Sequence, residues 1–163
     1  MSSSRTLAVF AVFVVLVALH FTLRPLLDWR AGVDFLVIGM LLVAVRVRPG
    51  AAAVIGLLLG LATDAMFPEA FGAGALAMTL VAFGASRLKA AFFADDLMLN
   101  AVFIFVGKAA FDLIYLLAEG RFGGMGLVAQ IFVWTPLAAL VTAIVGLAVI
   151  AVVRPALEQR QHR

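Results

Sequence analysis

The feature that most constrains this chain is a series of long apolar runs, the last of which extends from residue 127 to residue 153 without a charged side chain. A helix needs about 20 apolar residues to cross the hydrocarbon core of a bilayer. Hydrophobic residues make up 66% of the sequence, charged residues only 13%, and the mean hydropathy is +1.19. Soluble domains carry roughly a quarter charged residues. Lipid is therefore the expected solvent, and a water-soluble globular domain is excluded.

Six apolar runs follow one another along the chain. They are too long and too uniformly apolar for barrel strands, so they predict helices whose backbone groups are satisfied internally. The first run lacks a small-residue cleavage site before Arg24 and is interpreted as an uncleaved helix. The predicted fold class is an all-α polytopic membrane protein, one integral membrane domain over residues 1–163. Its predicted transmembrane helices cover residues 7–23, 31–47, 50–67, 70–85, 97–118 and 127–153.

Lysine and arginine are distributed unequally between alternate connections, and this asymmetry predicts the orientation. Eight of them fall on one side of the predicted bundle and three on the other. Both termini are therefore expected in the cytoplasm, with a short basic tail over residues 154–163. The net charge of +3 is therefore interpreted as a signal of membrane orientation, with an added attraction to anionic lipid headgroups, and not as a sign of nucleic-acid binding. The eight are Arg5, Arg46, Arg48, Arg87, Lys89, Arg154, Arg160 and Arg163; the three are Arg24, Arg30 and Arg121.

Three charged residues lie deep within predicted spans: Asp64, Lys108 and Asp112. Each costs about 2.5 to 3.5 kcal/mol at a helix centre on insertion scales, so each needs a partner. Lys108 and Asp112 are four residues apart and share a helix face. The helical rise places Asp64 and Asp112 roughly 21 to 23 Å from the cytoplasmic edge, and Lys108 about 6 Å closer to that edge. We predict that Lys108 bridges Asp64 and Asp112 in a structural ion cluster; ion or proton passage, catalysis and partner contact are the alternatives.

The third predicted helix carries a groove of small residues. Gly56, Gly60 and Asp64 are successive i+4 positions, and glycines at this spacing let a second helix approach closely. Pro136, inside the sixth span, is expected to kink that helix. The chain has no cysteine, which excludes disulfides, thiolate metal sites and thiol catalysis. No metal ion or cofactor is expected.

The stretch GLLLGLATDAMFPEAFGAGALAMTLVAFGASRLKAAFF, Gly56 to Phe93, resembles the rod shape-determining protein MreD family. Asp64 falls on the acidic position of that family's third helix. The stretch KAAFDLIYLLAEG is also similar, with Asp112 and Glu119 at acidic positions. Asp34 stands where the family has an acid or amide opening helix two, although Gly32 and Val33 replace its usual Arg-Pro.

The resemblance implies a non-enzymatic membrane subunit of the bacterial elongation machinery, in the inner membrane, with a fold similar to the substrate-binding subunits of energy-coupling-factor transporters. It implies the bitopic protein MreC as partner. It also implies that the chain interacts, directly or through MreC, with a RodA-type glycosyltransferase and a class B penicillin-binding protein. A link to MreB filaments and a homodimer within the larger complex are further expectations. The candidate contacts with MreC are lipid-exposed glycine and alanine faces on helices three or four, or the outer turn between them. The residues of that turn are Pro68, Glu69, Phe71, Gly72 and Gly74.

Two other functions remain open at this stage. Two aspartates at matched depth, Asp64 and Asp112, are also reminiscent of intramembrane aspartyl peptidases, in which paired carboxylates share a proton and activate water. Their flanking residues lack the Asn-rich motif of that family, and Lys108 would hold both acids ionised. The second alternative is the vitamin-binding subunit of a membrane transporter, which would share the predicted architecture.

Overall fold

The part of the chain that the structure, a computed structural model, describes is built from α-helices without strands. It comprises residues 3–27, 32–66, 70–92, 97–120 and 125–158. This confirms the all-helical part of the predicted fold class. The helices are α1 (Ser3–Leu27), α2 (Phe35–Ala44), α3 (Pro49–Asp64), α4 (Ala73–Phe92), α5 (Leu97–Glu119) and α6, which runs through the consecutive segments Met125–Ala129, Gln130–Trp134 and Thr135–Glu158.

Two stretches of the described chain are long and apolar enough to cross a membrane: Leu97–Glu119 in α5 and Leu127–Val152 in α6. Shorter apolar stretches occur in the other four helices, at Phe10–Thr22, Phe35–Ala44, Pro49–Asp64 and Ala73–Leu88. Helix α6 continues to Glu158, so the predicted basic tail begins within a helix, and residues 159–163 lie outside the described part.

Helix α2 is much shorter than the predicted span over residues 31–47. It has 10 residues and is therefore about 15 Å long, half the thickness of a hydrocarbon core. It begins where the side chain of Asp34 accepts a hydrogen bond from the backbone N–H of Val37, which caps the first turn. The span predicted for this segment is thus corrected to a half-length helix with a carboxylate at its start.

The short helix α2 forms the centre of the bundle, in contact with each of the other helices. Most of its side chains are fully buried, including Leu36, Ile38 and Met40. A helix that is apolar on all sides is stable only when protein surrounds it, so its composition explains its position. Small residues allow the neighbours to approach: Gly107 of α5 leaves room for Leu41.

Helices α3 and α4 form a tight antiparallel pair along the glycine face. Gly56 and Gly60 are buried there, Gly56 against the backbone of Met78 and Gly60 against the backbone of Gly74 and Ala75. The contacts between helices place α4 between α3 and α5. This arrangement separates Asp64, at the end of α3, from the polar face of α5.

Pro136 is accommodated in α6 by a widened turn. Proline lacks an N–H and clashes with the carbonyl four residues before it, here that of Phe132. The preceding residues 130–134 form a π-helical turn, in which the N–H of Thr135 bonds to the carbonyl of Gln130 five residues earlier. The expected interruption of α-helical geometry at Pro136 is present as a π-helical turn that directly precedes it.

Candidate functional site: a buried charge cluster

Lys108 of α5 lies between two carboxylates in the interior. Its Nζ donates a hydrogen bond to Oδ2 of Asp34 at 3.1 Å and to Oδ1 of Asp112 at 2.5 Å. The Lys108 side chain is 7% exposed, that of Asp34 8% and that of Asp112 19%. We call His20, Asp34, Lys108 and Asp112 the charge cluster, because His20 adjoins the same carboxylate. Water is largely excluded from all but Asp112.

His20 brings α1 to this cluster. Its ring is 2% exposed, and Nδ1 lies 3.4 Å from Oδ1 of Asp34. Leu16, one turn earlier on the same face, is equally buried and packs near Gly39 of α2. Helix α1 thus contacts the bundle through one narrow face that carries both an apolar side chain and an imidazole.

Asp34 is the residue where four helices converge. Its Oδ1 caps α2 by accepting from the N–H of Val37 at 3.2 Å, and its own N–H donates to Oγ1 of Thr142 in α6 at 3.3 Å. Thr142 is fully buried. With His20 on α1 and Lys108 on α5, the segment at Asp34 ties α1, α2, α5 and α6 together at a single point.

An aromatic ring completes the surroundings of the ammonium group. Nζ of Lys108 lies 4.9 Å from the centroid of the Phe111 ring, a distance at which the ring quadrupole attracts a cation. A buried ion pair costs desolvation energy and is tolerated only when its charges are paired and hydrogen bonded. The contacts of Lys108 meet this condition, so its charge is stabilised in the interior, where an unpaired ammonium group would be costly.

Asp64 is not part of this cluster, which corrects the predicted bridge. Its carboxylate accepts hydrogen bonds from three backbone N–H groups: Gly72 at 3.0 Å, Gly74 at 3.0 Å and Ala75 at 2.9 Å. The first N–H groups of a helix have no partner within it, and a carboxylate both satisfies them and complements the helix dipole. Asp64 therefore closes the turn into α4. Asp34 occupies the position beside Lys108 that was predicted for Asp64.

Depth explains this exchange of partners. On the helical rise, Lys108 lies about 16 Å from the Leu97 end of α5, and Asp34 lies about 15 Å from the end of α2 on the same side. Asp64 lies about 22 Å from the Pro49 end of α3. Asp34 and Lys108 share a level near the middle of the bundle, whereas Asp64 is one turn further out and is screened by α4.

The outer turn between α3 and α4 projects an aromatic side chain. Phe71 is 64% exposed, and Gly72 has a φ of +98°, a backbone conformation that favours glycine. A Cβ on Gly74 would collide with Oδ1 of Asp64. Of the predicted contact residues, Phe71, Gly72 and Gly74 therefore share one turn that Asp64 holds in place, while Pro68 and Glu69 lie outside the described residues.

The described residues contain no group of three His, Cys, Asp or Glu side chains placed to hold a metal ion. The two aspartates considered for an aspartyl peptidase bind different donors: Asp64 binds backbone N–H groups, and Asp112 binds Lys108. These contacts do not describe two carboxylates that share a proton. What the charge cluster does is join helices that are distant in sequence.

Three contributors were not expected from the sequence: His20, Asp34 and Thr142. Asp34 was noted only as an opening residue of helix two. The signal that could have revealed Asp34 was its depth, because the helical rise counted back from Ala44, the last residue of α2, places it about 15 Å in, near the level of Lys108. Thr142 carried no such signal.

Comparison with protein-family models, with curated proteins and with solved structures finds no match for this chain.

Proposed function

We propose that this chain is a six-helix integral membrane protein of the bacterial inner membrane, with both termini in the cytoplasm, that acts as a non-enzymatic subunit of the cell-elongation machinery. In this role it binds an MreC-like bitopic protein and helps regulate lateral peptidoglycan synthesis. In this proposal the chain also binds the RodA-type glycosyltransferase and its class B penicillin-binding partner, directly or through MreC. It is further linked to MreB filaments at the cytoplasmic face.

The observation that carries the proposal is that residues responsible for the resemblance to the MreD family also set the packing. Gly56 and Gly60 form the α3–α4 contact, and Asp64 caps α4. Asp112 binds Lys108, which binds Asp34. Matching residues that all make packing contacts between helices support a shared architecture more strongly than scattered surface matches would.

The surface supports placement in a membrane. Large apolar side chains are exposed on all of the longer helices, whereas soluble monomers rarely expose contiguous apolar patches above a few hundred Å². They include Phe10 on α1, Leu58 on α3, Leu80 on α4, Leu117 on α5 and Phe132 on α6.

The outer turn is the proposed contact with MreC. Phe71 and Met66 are both more than half exposed and stand at either side of this turn. The hydrogen bonds that Asp64 accepts from the N–H groups of Gly72 and Gly74 fix the backbone beside Phe71, so the aromatic side chain is presented without a large loss of backbone entropy on binding. Exposed aromatic anchors of this kind often carry much of the energy of an interface.

Co-purification tests this proposal. The tagged protein, expressed in a rod-shaped bacterium and solubilised in mild detergent, is expected to retain an MreC-like protein, and Phe71→Glu is expected to reduce the retained amount at least tenfold. Leu117→Glu is the matched control, because Leu117 is 62% exposed near the same level on α5. Equal retention by both variants would remove the outer turn from the interface. Recovery of a pair of ATPases in place of MreC would favour the vitamin-transporter alternative.

A further inference from the structure

At the end of the bundle opposite the outer turn, one hydrogen bond joins two segments that together carry three arginines. Ser86, buried in α4, donates from Oγ to the backbone carbonyl of Val47 at 2.8 Å. This bond fastens the end of α4 to the turn between α2 and α3. It brings Arg87 next to the segment that contains Arg46 and Arg48. We call these three residues the arginine edge.

Each guanidinium of the arginine edge has a defined setting. Arg46 is half-buried and donates from Nη1 to the carbonyl of Leu42 at 2.7 Å, which caps the end of α2. Burial lowers the pKa of Arg46, but an arginine starts so far above neutral pH that it stays charged. Arg48 is exposed at the start of α3 and makes no capping bond with its side chain. Arg87 is exposed, with its guanidinium 5.1 Å from the centroid of the Phe83 ring.

The neighbours of the arginine edge place it at the boundary between apolar and polar surroundings. Phe83 is 40% exposed and Leu88 53% exposed, so apolar side chains flank the arginine on α4. Beside Arg48, the first turn of α3 begins with Pro49, and a Cβ built on Gly50 would meet no atom within 4 Å. The surface at Gly50 is therefore open beside Arg48, and the start of α3 contributes a partial positive charge there.

We propose that the arginine edge binds the phosphate headgroup of an anionic phospholipid of the cytoplasmic leaflet. Guanidinium groups bind phosphate oxygens in a bidentate fashion, and exposed apolar neighbours accommodate the acyl chains of the same molecule. A soluble phosphate would gain nothing from Phe83 and Leu88. This inference rests on the proposed membrane insertion and orientation, and it adds a lipid class to them.

The test uses the full-length protein reconstituted into vesicles of phosphatidylcholine containing about one fifth phosphatidylglycerol, followed by native mass spectrometry of the extracted protein. Wild-type protein is expected to retain phosphatidylglycerol in preference to phosphatidylcholine. The variant R48Q/R87Q is expected to retain roughly 25-fold less, because each basic residue near an anionic surface contributes about a fivefold change in affinity. R48K/R87K keeps the charge but not the bidentate geometry, so it is expected to retain more phosphatidylglycerol than R48Q/R87Q and less than the wild type, which separates loss of binding from misfolding.

The matched control is R160Q/R163Q, which removes the same charge from the end of the chain. Equal losses in this control and in R48Q/R87Q, or unchanged retention in R48Q/R87Q, would overturn the inference. Displacement of the lipid by millimolar inorganic phosphate would also overturn it, because it would assign the site to a free anion. Failure of the protein to float with vesicles of phosphatidylcholine alone would contradict the proposed membrane insertion itself, independently of the arginine edge.

Discussion

Replacing Lys108 with methionine is expected to lower the free energy of unfolding by about 3–5 kcal/mol, because removing one partner leaves buried charges without compensation. Lys108 binds both Asp34 and Asp112. Methionine fills a similar volume but cannot donate a hydrogen bond to either carboxylate. The measurement is thermal or denaturant unfolding of the purified protein in detergent, together with its amount in the membrane fraction.

Arg48→Met, measured in detergent without added anionic phospholipid so that the proposed lipid contact plays no part, is the matched control for this loss of a cation. Arg48 is exposed and its side chain caps no helix, so its replacement is expected to change stability by no more than about 0.5 kcal/mol. The neutral triple variant D34N/K108M/D112N is expected to be more stable than Lys108→Met alone, since it removes the uncompensated charges. A Lys108→Met protein as stable as the wild type would show that the charge cluster does not hold the helices together.

Replacing Gly60 with alanine is expected to produce the second large effect, a loss of about 1–3 kcal/mol or more from overpacking. A Cβ at position 60 would lie 2.5 Å from the carbonyl oxygen of Gly74 and 2.6 Å from the amide nitrogen of Ala75. These are backbone atoms that cannot rotate away, so α3 and α4 must separate. Separation would also lengthen the hydrogen bonds by which Asp64 caps α4.

Gly84→Ala provides the control for this substitution on the neighbouring helix. A Cβ at Gly84 would meet no atom within 4 Å, and alanine has the higher helix propensity. Unfolding of the two variants in the same detergent should therefore show a lowered midpoint for Gly60→Ala and an unchanged or slightly raised midpoint for Gly84→Ala. Equal midpoints would mean that the glycine face is not a close helix contact.

Periodicity in the sequence predicted the helices and the glycine face well, because both depend on local spacing. The i+4 series at Gly56 and Gly60 requires only that α3 be a helix with another helix beside it. The pairing of Lys108 with Asp112 is equally local, since residues four apart on a helix are neighbours. These features follow from one helix at a time and need no knowledge of the tertiary arrangement.

The partner of Lys108 on another helix could not be predicted in this way. Choosing Asp64 assumed that α3 lies beside α5 and that the second apolar run spans the bilayer. In the structure α4 separates α3 from α5, and α2 is only about 15 Å long. Asp34 therefore lies near the middle of the bundle instead of at its edge. Asp64 has its own local role at the start of α4, which is set by its hydrogen bonds to the backbone of Gly72 and Gly74 and not by charge pairing.

A double-mutant cycle between Asp34 and Lys108 tests the central claim most directly, that one buried lysine joins α5 to the start of α2. Free energies of unfolding are measured for D34N, K108M and D34N/K108M, and the same cycle is repeated with D64N in place of D34N. The first cycle is expected to give a coupling energy of about 1–3 kcal/mol, and the second is expected to be additive within about 0.5 kcal/mol. Additivity in the Asp34 cycle, or strong coupling in the Asp64 cycle, would contradict the account.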